Sequence, residues 1–218
     1  MSKIILPKDH EEWIKLRATG IGASDSGTII GVNRWKSNQA LYREKVGLSE
    51  PEDISNKPQV QLGHDEEPLI RALFALENPR YEVIYESPYK MIFHSTHEFL
   101  FCTPDGELIE RDTGRKGILE IKTTEIKRSE QWAEWDGRIP DTYYAQICHQ
   151  LNATGWEFAI LKARIRYYKD GELRIAERQY TIEREEAKED MEYLLEKEID
   201  FWKSVQEKKC PALILPSI

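Results

Sequence analysis

The sequence predicts an α/β fold in which helices flank a central sheet, and three observations lead there. Short helical patterns fill the N-terminal third, strand-like segments crowd between residues 81 and 124, and a helix, a strand pair and a charged helix follow. The chain of 218 residues is long enough for one substantial core and shows no repeat, low-complexity linker or clear boundary. One domain over residues 1–218 is therefore expected, with a helical part at about 9–78, a sheet with its helices at about 81–182 and a C-terminal helix at about 183–209.

DHEEWIKLRA reads as the first helix. A Gly-rich turn, TGIGAS, precedes a second helical piece in SDSGTIIG, for which Ser24 is placed as N-cap, and Ser37 caps a third in SNQALYREKVG. A longer amphipathic helix covers GHDEEPLIRALFAL, with Leu69, Leu73 and Leu76 as its inward face, Pro68 in an early turn and ENPR as its stop. YEVIYES, KMIFHS, EFLFCTP and GILEIKTT are strand-like runs between turn residues and are expected to form one sheet. SEQWAEWDG and PDTYYAQICHQLNATG read as helices, the second opened by Pro140 and closed by Gly155. WEFAILKARIRYYK and ELRIAERQYTI form a strand pair about a turn at Lys169, Asp170 and Gly171. A charged helix of about twenty-five residues ends the fold, and its acidic run EREEAKEDMEYLLEKEID reads as a solvated face.

A hydrophobic fraction of 40% beside 32% charged residues fits a folded soluble protein. The net charge of −8 lowers the expectation of a nucleic-acid partner without excluding it, because acids that hold cations lose their repulsion once loaded. No apolar run reaches bilayer length and the N-terminus lacks a secretory signal, so a cytoplasmic protein without a membrane partner is expected. Cys102, Cys148 and Cys210 are scattered and odd in number, which predicts buried free thiols rather than disulfides or a metal knuckle. His94 and His97 lack a matching Cys or His pair nearby and read as structural.

GILEIKTT, residues 117–124, carries the chemical question. Period-two alternation puts Glu120 and Lys122 on one strand face and Leu119 and Ile121 on the other, so the charged pair is either a half-buried site or a wet surface. Upstream, EFLFCTPDGEL leaves the sheet at Pro104, Asp105 and Gly106, and a hairpin at ERDTGRK brings Asp105 beside Glu120 and Lys122. Two carboxylates are hard oxygen ligands suited to Mg²⁺. A nearby ammonium orients or deprotonates an attacking water and offsets charge on a pentacovalent phosphate, so the trio suits phosphodiester hydrolysis. The alternative is a tight turn at Asp105 and a solvated Glu120–Lys122 pair; the apolar frame of both strands favours the site.

The segments WIKLRATGIGASDSGTIIGVNRWKS, GHDEEPLIRALF, FCTPDGEL, GILEIKTT and IPDTYYAQICHQLNATG occur in one order. Together they resemble the N-terminal signature, acidic helix, two catalytic strands and glutamine-bearing helix of the YqaJ-type viral recombinases. These are relatives of phage lambda exonuclease within the PD-(D/E)xK nuclease superfamily, and the resemblance covers about Trp13 to about Tyr168. It implies a restriction-endonuclease-like core with a central mixed β-sheet, and a metal-dependent deoxyribonuclease.

By matched position the resemblance implies Asp105 and Glu120 as metal-binding carboxylates, the Ile121 carbonyl as a further ligand and Lys122 as the catalytic lysine. Glu67 falls on the active-site glutamate of a helix facing the metals, with Glu66 the weaker substitute. Gln146 matches a glutamine that positions the scissile phosphate or water, with Gln150 a weaker candidate one turn on. Arg17 and Ser24 resemble residues that hold a terminal 5′-phosphate, for which a guanidinium fork and a helix start are suited. Arg34, Trp35, Lys36 and the run Lys162–Lys169, with Arg164 and Arg166, are further candidates for phosphate contact.

The implied activity is digestion of the 5′-ended strand of linear duplex DNA to leave 3′ tails, with two Mg²⁺ ions per site and Mn²⁺ as a substitute. The resemblance further implies phage-type recombination in a bacterial cytoplasm, beside a single-strand annealing protein, by a homo-oligomer such as a trimeric ring around DNA. Two other readings stay open: a restriction- or repair-type endonuclease on the same metal core, and a non-catalytic DNA-binding module. Relatives with a four-cysteine iron–sulfur cluster do not fit three scattered cysteines.

Overall fold

Two mixed sheets, not one, organise the chain in the computed structural model, which describes residues 2–215. A four-stranded sheet has the order β1 (Lys3–Ile5), β4 (Met91–Phe93), β5 (Leu100–Cys102), β2 (Ile21–Gly22). A five-stranded sheet runs β3 (Tyr81–Ile84), β6 (Gly106–Glu110), β7 (Lys116–Ile126), β8 (Phe158–Lys169), β9 (Glu172–Glu183). KMIFHS and EFLFCTP thus leave the expected single sheet and pair with N-terminal strands. Every residue of β4 and β5 is buried, and period-two patterning marks a strand without naming its partner.

The hairpin at ERDTGRK forms: Glu110 N–H donates to Arg115 O at 2.9 Å, and the β6–β7 register runs from Ile109 opposite Lys116 to Gly106 opposite Leu119. Because β6 stops there, β7 has no strand on that side from Glu120 onward. On its other side β8 pairs in parallel from Gly117 to Ile126. The β8–β9 turn is also where expected, with Asp170 at φ 54° and Gly171 at φ 79°, a left-handed pair that favours Asp and Gly.

Helices cover both faces of the five-stranded sheet. On one side α4 (Pro58–Glu77) packs Ile70 and Phe74 against Leu108, Leu119, Ile121 and Ile160. This helix starts before GHDEEP, so Pro68 is internal to it, and Leu69 and Leu76 are 65% and 80% exposed. The inward stripe is therefore Ile70 and Phe74, and the expected Leu69–Leu73–Leu76 face is wrong by about one residue's rotation. On the other side α5 (Asp141–Thr154) and α6 (Lys188–Gln206) pack Ile147, Leu151, Met191 and Leu194 against Ile118, Leu161 and Ala163. Gly155, at φ 71°, closes α5.

The N-terminal helices are α1 (His10–Arg17), α2 (Ser26–Ile29) and α3 (Asn38–Lys45). Ser37 caps α3, its hydroxyl accepting from Ala40 N–H at 3.2 Å. Ser24 caps nothing; it lies inside a 3₁₀ turn, Ala23–Asp25. SEQWAEW is likewise a 3₁₀ segment, Ser129–Trp135. The acidic C-terminal run is not wholly solvated, since Glu198 has no exposed surface. Cys102 and Cys148 are buried free thiols, whereas Cys210, beyond the end of α6, is exposed. His94 closes its own loop, Nδ1 accepting from the N–H groups of Thr96 and His97 at 3.1 Å each. Among the described residues no helix is long and apolar enough to cross a membrane.

Candidate active site

β7 alternates between the two helical layers, and that alternation buries Glu120. Leu119 and Ile121 join the α4 cluster, while Ile118 joins the α5 cluster and Glu120, on the same face, is 1% exposed. A carboxylate in such a place needs donors. Gln146 and Gln150, one turn apart on α5, supply them: Gln146 Nε2 donates to Oε1 at 2.7 Å and Gln150 Nε2 to Oε2 at 2.6 Å. Lys122 Nζ sits 2.6 Å from Oε1. The charged pair of GILEIKTT is thus a half-buried constellation and not a wet surface. Gln150, the weaker of the two glutamine candidates, has no exposed surface, and its own Oε1 is buried without a hydrogen-bond partner among the described residues.

Burial alone would push Lys122 down, but the carboxylates of Glu120 and Asp105 outweigh it and hold the amine above its ordinary value. Lys122 is therefore an ammonium, a donor that also lies over the Tyr143 ring at 5.1 Å from its centroid.

Asp105 occupies the link from β5 in one sheet to β6 in the other. Its Oδ2 accepts from Ile121 N–H at 2.7 Å, a donor left free because β6 ends opposite Leu119. The N–H and C=O of one strand residue point to the same side, so the Ile121 carbonyl faces this free edge too. Burial first, then the charge of Glu120, pushes the Asp105 carboxyl well above the usual range.

α4 places Glu67 opposite. Its carboxylate pairs with Arg71 one turn later, and burial raises its pKa against the opposing charge of Arg71. Glu66 turns elsewhere, toward Thr123 Oγ1 at 3.5 Å and Arg166 Nη1 at 3.9 Å. Glu67, Asp105, Glu120, Ile121, Lys122 and Gln146 all line one cleft of about 260 Å³.

The donor set of this cleft is hard oxygen, which fits Mg²⁺ or a similar ion. Among the described residues no three His, Cys, Asp or Glu side chains converge enough to hold an ion by themselves. A cation here would be held by Asp105, Glu120 and the Ile121 carbonyl. Asp105 and Glu67, both raised by burial and by the charge of Glu120, are the carboxylates whose ionised form a divalent cation would favour.

Arg17 and Ser24 meet at the end of the four-stranded sheet from which Asp105 emerges. Arg17 Nη2 donates to Ser24 Oγ at 2.5 Å, and its guanidinium lies over the Trp13 ring at 5.3 Å from the centroid. Trp13 Nε1 in turn donates to Thr103 Oγ1 at 3.3 Å. Because β2 runs parallel to β5, Ser24 after one strand and Asp105 after the other emerge at the same end of the four-stranded sheet. Asp25, which the sequence did not single out, is buried below the pair, 2.9 Å from Lys45 Nζ and 4.0 Å from Arg17 Nη2. These two cations outweigh burial and hold its carboxyl below the usual range.

The outlying phosphate candidates fare differently. Lys162 is 5% exposed and sits 2.8 Å from both Glu77 and Glu177, so it is committed inside the fold. Arg34 pairs with Glu134 at 3.0 Å, Lys36 with Glu44, and Arg166 with Glu66. Trp35 is 90% exposed. Residues that no local pattern indicated also support the centre: Arg71, and a buried His149–Glu198 pair joining α5 to α6.

Residues 12–157 match the YqaJ-like viral recombinase domain. The chain is 28% identical over 149 residues to the YqaJ protein of Bacillus subtilis strain 168; the match covers 68% of this chain and 44% of that protein, so the chain spans less than half the length of its relative. Its fold is similar to that of an alkaline exonuclease from Laribacter hongkongensis, with a TM-score of 0.63 and 18% identity over 91% of this chain and 93% of that one. A phage-related exonuclease from Haemophilus somnus is similar at a TM-score of 0.51 and 13% identity, over 87% and 96% of the two chains. With the five motifs in order and the family match spanning more than half its length, the chain belongs to the YqaJ-like viral recombinase domain family.

Proposed function

We propose that the chain is a Mg²⁺-dependent deoxyribonuclease that digests the 5′-ended strand of linear duplex DNA and leaves 3′ tails for phage-type recombination. The observation that carries this reading is the meeting of Asp105, Glu120 and Lys122 in one cleft at the free edge of β7. The family and the exonuclease names of the fold neighbours support it, and a second structure of the Laribacter enzyme holds dAMP, a nucleoside monophosphate.

Asp105, Glu120 and the Ile121 carbonyl would hold the cation, with two ions per site in this reading, and Mn²⁺ would take the same ligands. When bound, the metal polarises the phosphate and acidifies water. Lys122, as an ammonium, donates to the attacking water and offsets charge growing on the phosphate oxygens. Gln146 and Gln150 keep both Glu120 oxygens in place, and Glu67 offers an acceptor across the cleft. Arg17 and Ser24 grip the terminal 5′-phosphate, which lets a chain of net charge −8 engage DNA ends. A homo-oligomer, such as a trimeric ring, adds retention by enclosing the duplex, and a single-strand annealing protein takes up the exposed tail. The whole of residues 1–218 acts as one nuclease domain, phage or prophage encoded and working in the bacterial cytoplasm.

The test is incubation of 5′-phosphorylated linear duplex with Mg²⁺ and either wild type or Lys122→Ala, with closed circular duplex alongside. Wild type releases nucleotides from linear DNA only, and the variant is slower by about 10²–10³-fold. Equal inertness of both proteins refutes the enzyme reading, and cutting of the circle replaces it with an endonuclease.

A further inference from the structure

Arg71 makes three contacts, two of them to Asp105 and Glu67, which line the cleft. Its Nε donates to the Asp105 carbonyl at 2.6 Å, and its Nη2 donates to Glu67 Oε1. The flat face of the guanidinium stacks on Tyr85, 3.5 Å from the ring centroid. The side chain is 11% exposed. Each contact reaches a different part of the fold: the link between the two sheets, the preceding turn of α4 and the segment after β3.

An ordinary Glu–Arg pair at i, i+4 on a helix surface contributes little and orders nothing beyond the helix. Arg71 differs because its bond to Asp105 O joins residues 34 apart in sequence. The link that carries Asp105 is thus held at two points. Its carboxylate is fixed by Ile121 N–H, and its peptide is fixed by Arg71 Nε. The same guanidinium fixes the carboxylate of Glu67, so one planar group sets the spacing between α4 and the β5–β6 link.

We propose that Arg71 is a positioning residue for the hydrolytic centre. By holding the Asp105 peptide and the Glu67 carboxylate on one fork, braced by Tyr85, it presets the oxygen ligands for a divalent cation. This rests on the reading of the cleft given above. The requirement is for the fork and not for charge alone, since a lysine supplies one compact ammonium that cannot serve two divergent acceptors and a stacking face together.

Arg71→Lys and Tyr85→Leu test it in the full chain, stripped of metal. Mn²⁺ binding is measured by calorimetry without DNA, thermal unfolding is followed in EDTA, and kcat and KM are measured on 5′-phosphorylated linear duplex. Arg71→Lys is expected to weaken Mn²⁺ binding and lower kcat by about 10–100-fold each, as removal of an outer-shell partner does, with KM within about twofold. Tyr85→Leu, at a residue 41% exposed, loses affinity in the same direction and by less. If Arg71→Lys and Tyr85→Leu bind Mn²⁺ as wild type does, or lose affinity only in step with their thermal stability, the positioning role is overturned. Should wild type bind Mn²⁺ more tightly than Arg71→Lys yet cleave nothing, the nuclease reading falls and the role of Arg71 stands. Absence of Mn²⁺ binding by wild type overturns both.

Discussion

His149 and Glu198 form a pair with no exposed surface: Nδ1 lies 2.6 Å from Glu198 Oε1, and Nε2 lies 2.8 Å from the carbonyl of Phe101. A carbonyl only accepts, so Nε2 carries the hydrogen and donates. His149 stands between Gln146 and Gln150 on α5, Glu198 belongs to α6, and Phe101 is on β5, just ahead of Asp105. One imidazole therefore ties the helix that holds Glu120 to the strand that delivers Asp105.

Breaking that tie will cost stability in a pH-dependent way. Burial alone would lower the His149 pKa, but the adjacent Glu198 carboxylate outweighs it and raises the imidazole above its ordinary value. A raised histidine contributes stability that is complete below its unfolded value of about 6.5 and is lost as pH climbs through the folded one. Urea unfolding should show Glu198→Ala less stable than wild type by about 3–5 kcal/mol at pH near 6, the cost of stranding one partner of a buried pair. The gap between wild type and Glu198→Gln should narrow as pH rises above about 6.5, and a gap that widens instead would contradict the assignment.

Asp105 follows the same sign of pH dependence as His149, over a window that opens at lower pH because a carboxyl's unfolded value is lower. Its carboxyl is raised by burial and by Glu120, so the stability it contributes lies at low pH and is lost as pH rises through the folded value. At pH near 8 in EDTA, Asp105→Asn is expected to unfold at a higher temperature than wild type and to be inactive. Wild type gains about 2.7 kcal/mol from Mg²⁺ at a hundred times its Kd, and the variant gains much less. Scanning calorimetry with and without Mg²⁺ reads all of this, and a variant less stable than wild type in EDTA rules the charge argument out.

The two glutamines on α5 separate by burial. Gln150 is fully buried, so Gln150→Ala leaves Glu120 Oε2 without its donor at a cost of about 1–3 kcal/mol. Gln146 is only half-buried and borders the cleft, so Gln146→Ala loses less stability and relatively more rate. Chemical denaturation and turnover of each variant check the division, and equal stability loss in both would erase it.

What the sequence made legible is local. The strand face bearing Glu120 and Lys122, the hairpin at ERDTGRK, the Pro140–Gly155 limits of α5 and the Asp170–Gly171 turn all follow from periodicity and turn chemistry within a few residues. The five motifs placed Asp105, Glu67 and Gln146 by resemblance, and the fold brings them to one cleft. The illegible parts depend on distant partners. KMIFHS and EFLFCTP read as strands in either sheet, and only their neighbours decide which. Lys162 looks solvated until Glu77 and Glu177 enclose it. Glu198 is one acid in a run of acids until α6 turns it toward His149. Arg71 shows no signal beyond a helix-surface pair, because its bond to Asp105 crosses between elements.

Arg17 offers the test of end recognition. It donates to Ser24, stacks on Trp13 and lies 4.0 Å from Asp25, so its guanidinium is held in place before any substrate arrives. A charge-assisted hydrogen bond to a phosphate is worth about 1.5–3 kcal/mol, which is about tenfold to a hundredfold in kcat/KM. Arg17→Ala should therefore digest 5′-phosphorylated duplex ends slower by that factor and 5′-hydroxyl ends at nearly the wild-type rate. Ser24→Ala removes a neutral donor worth about 0.5–1.5 kcal/mol and should show the same selectivity a few-fold. Phosphate-contact loss also reduces salt sensitivity, so the Arg17→Ala rate should fall less steeply than wild type as ionic strength rises. Equal losses on phosphorylated and hydroxyl ends would mean that Arg17 serves the packing of Trp13 and Asp25, and that the terminal phosphate is read elsewhere.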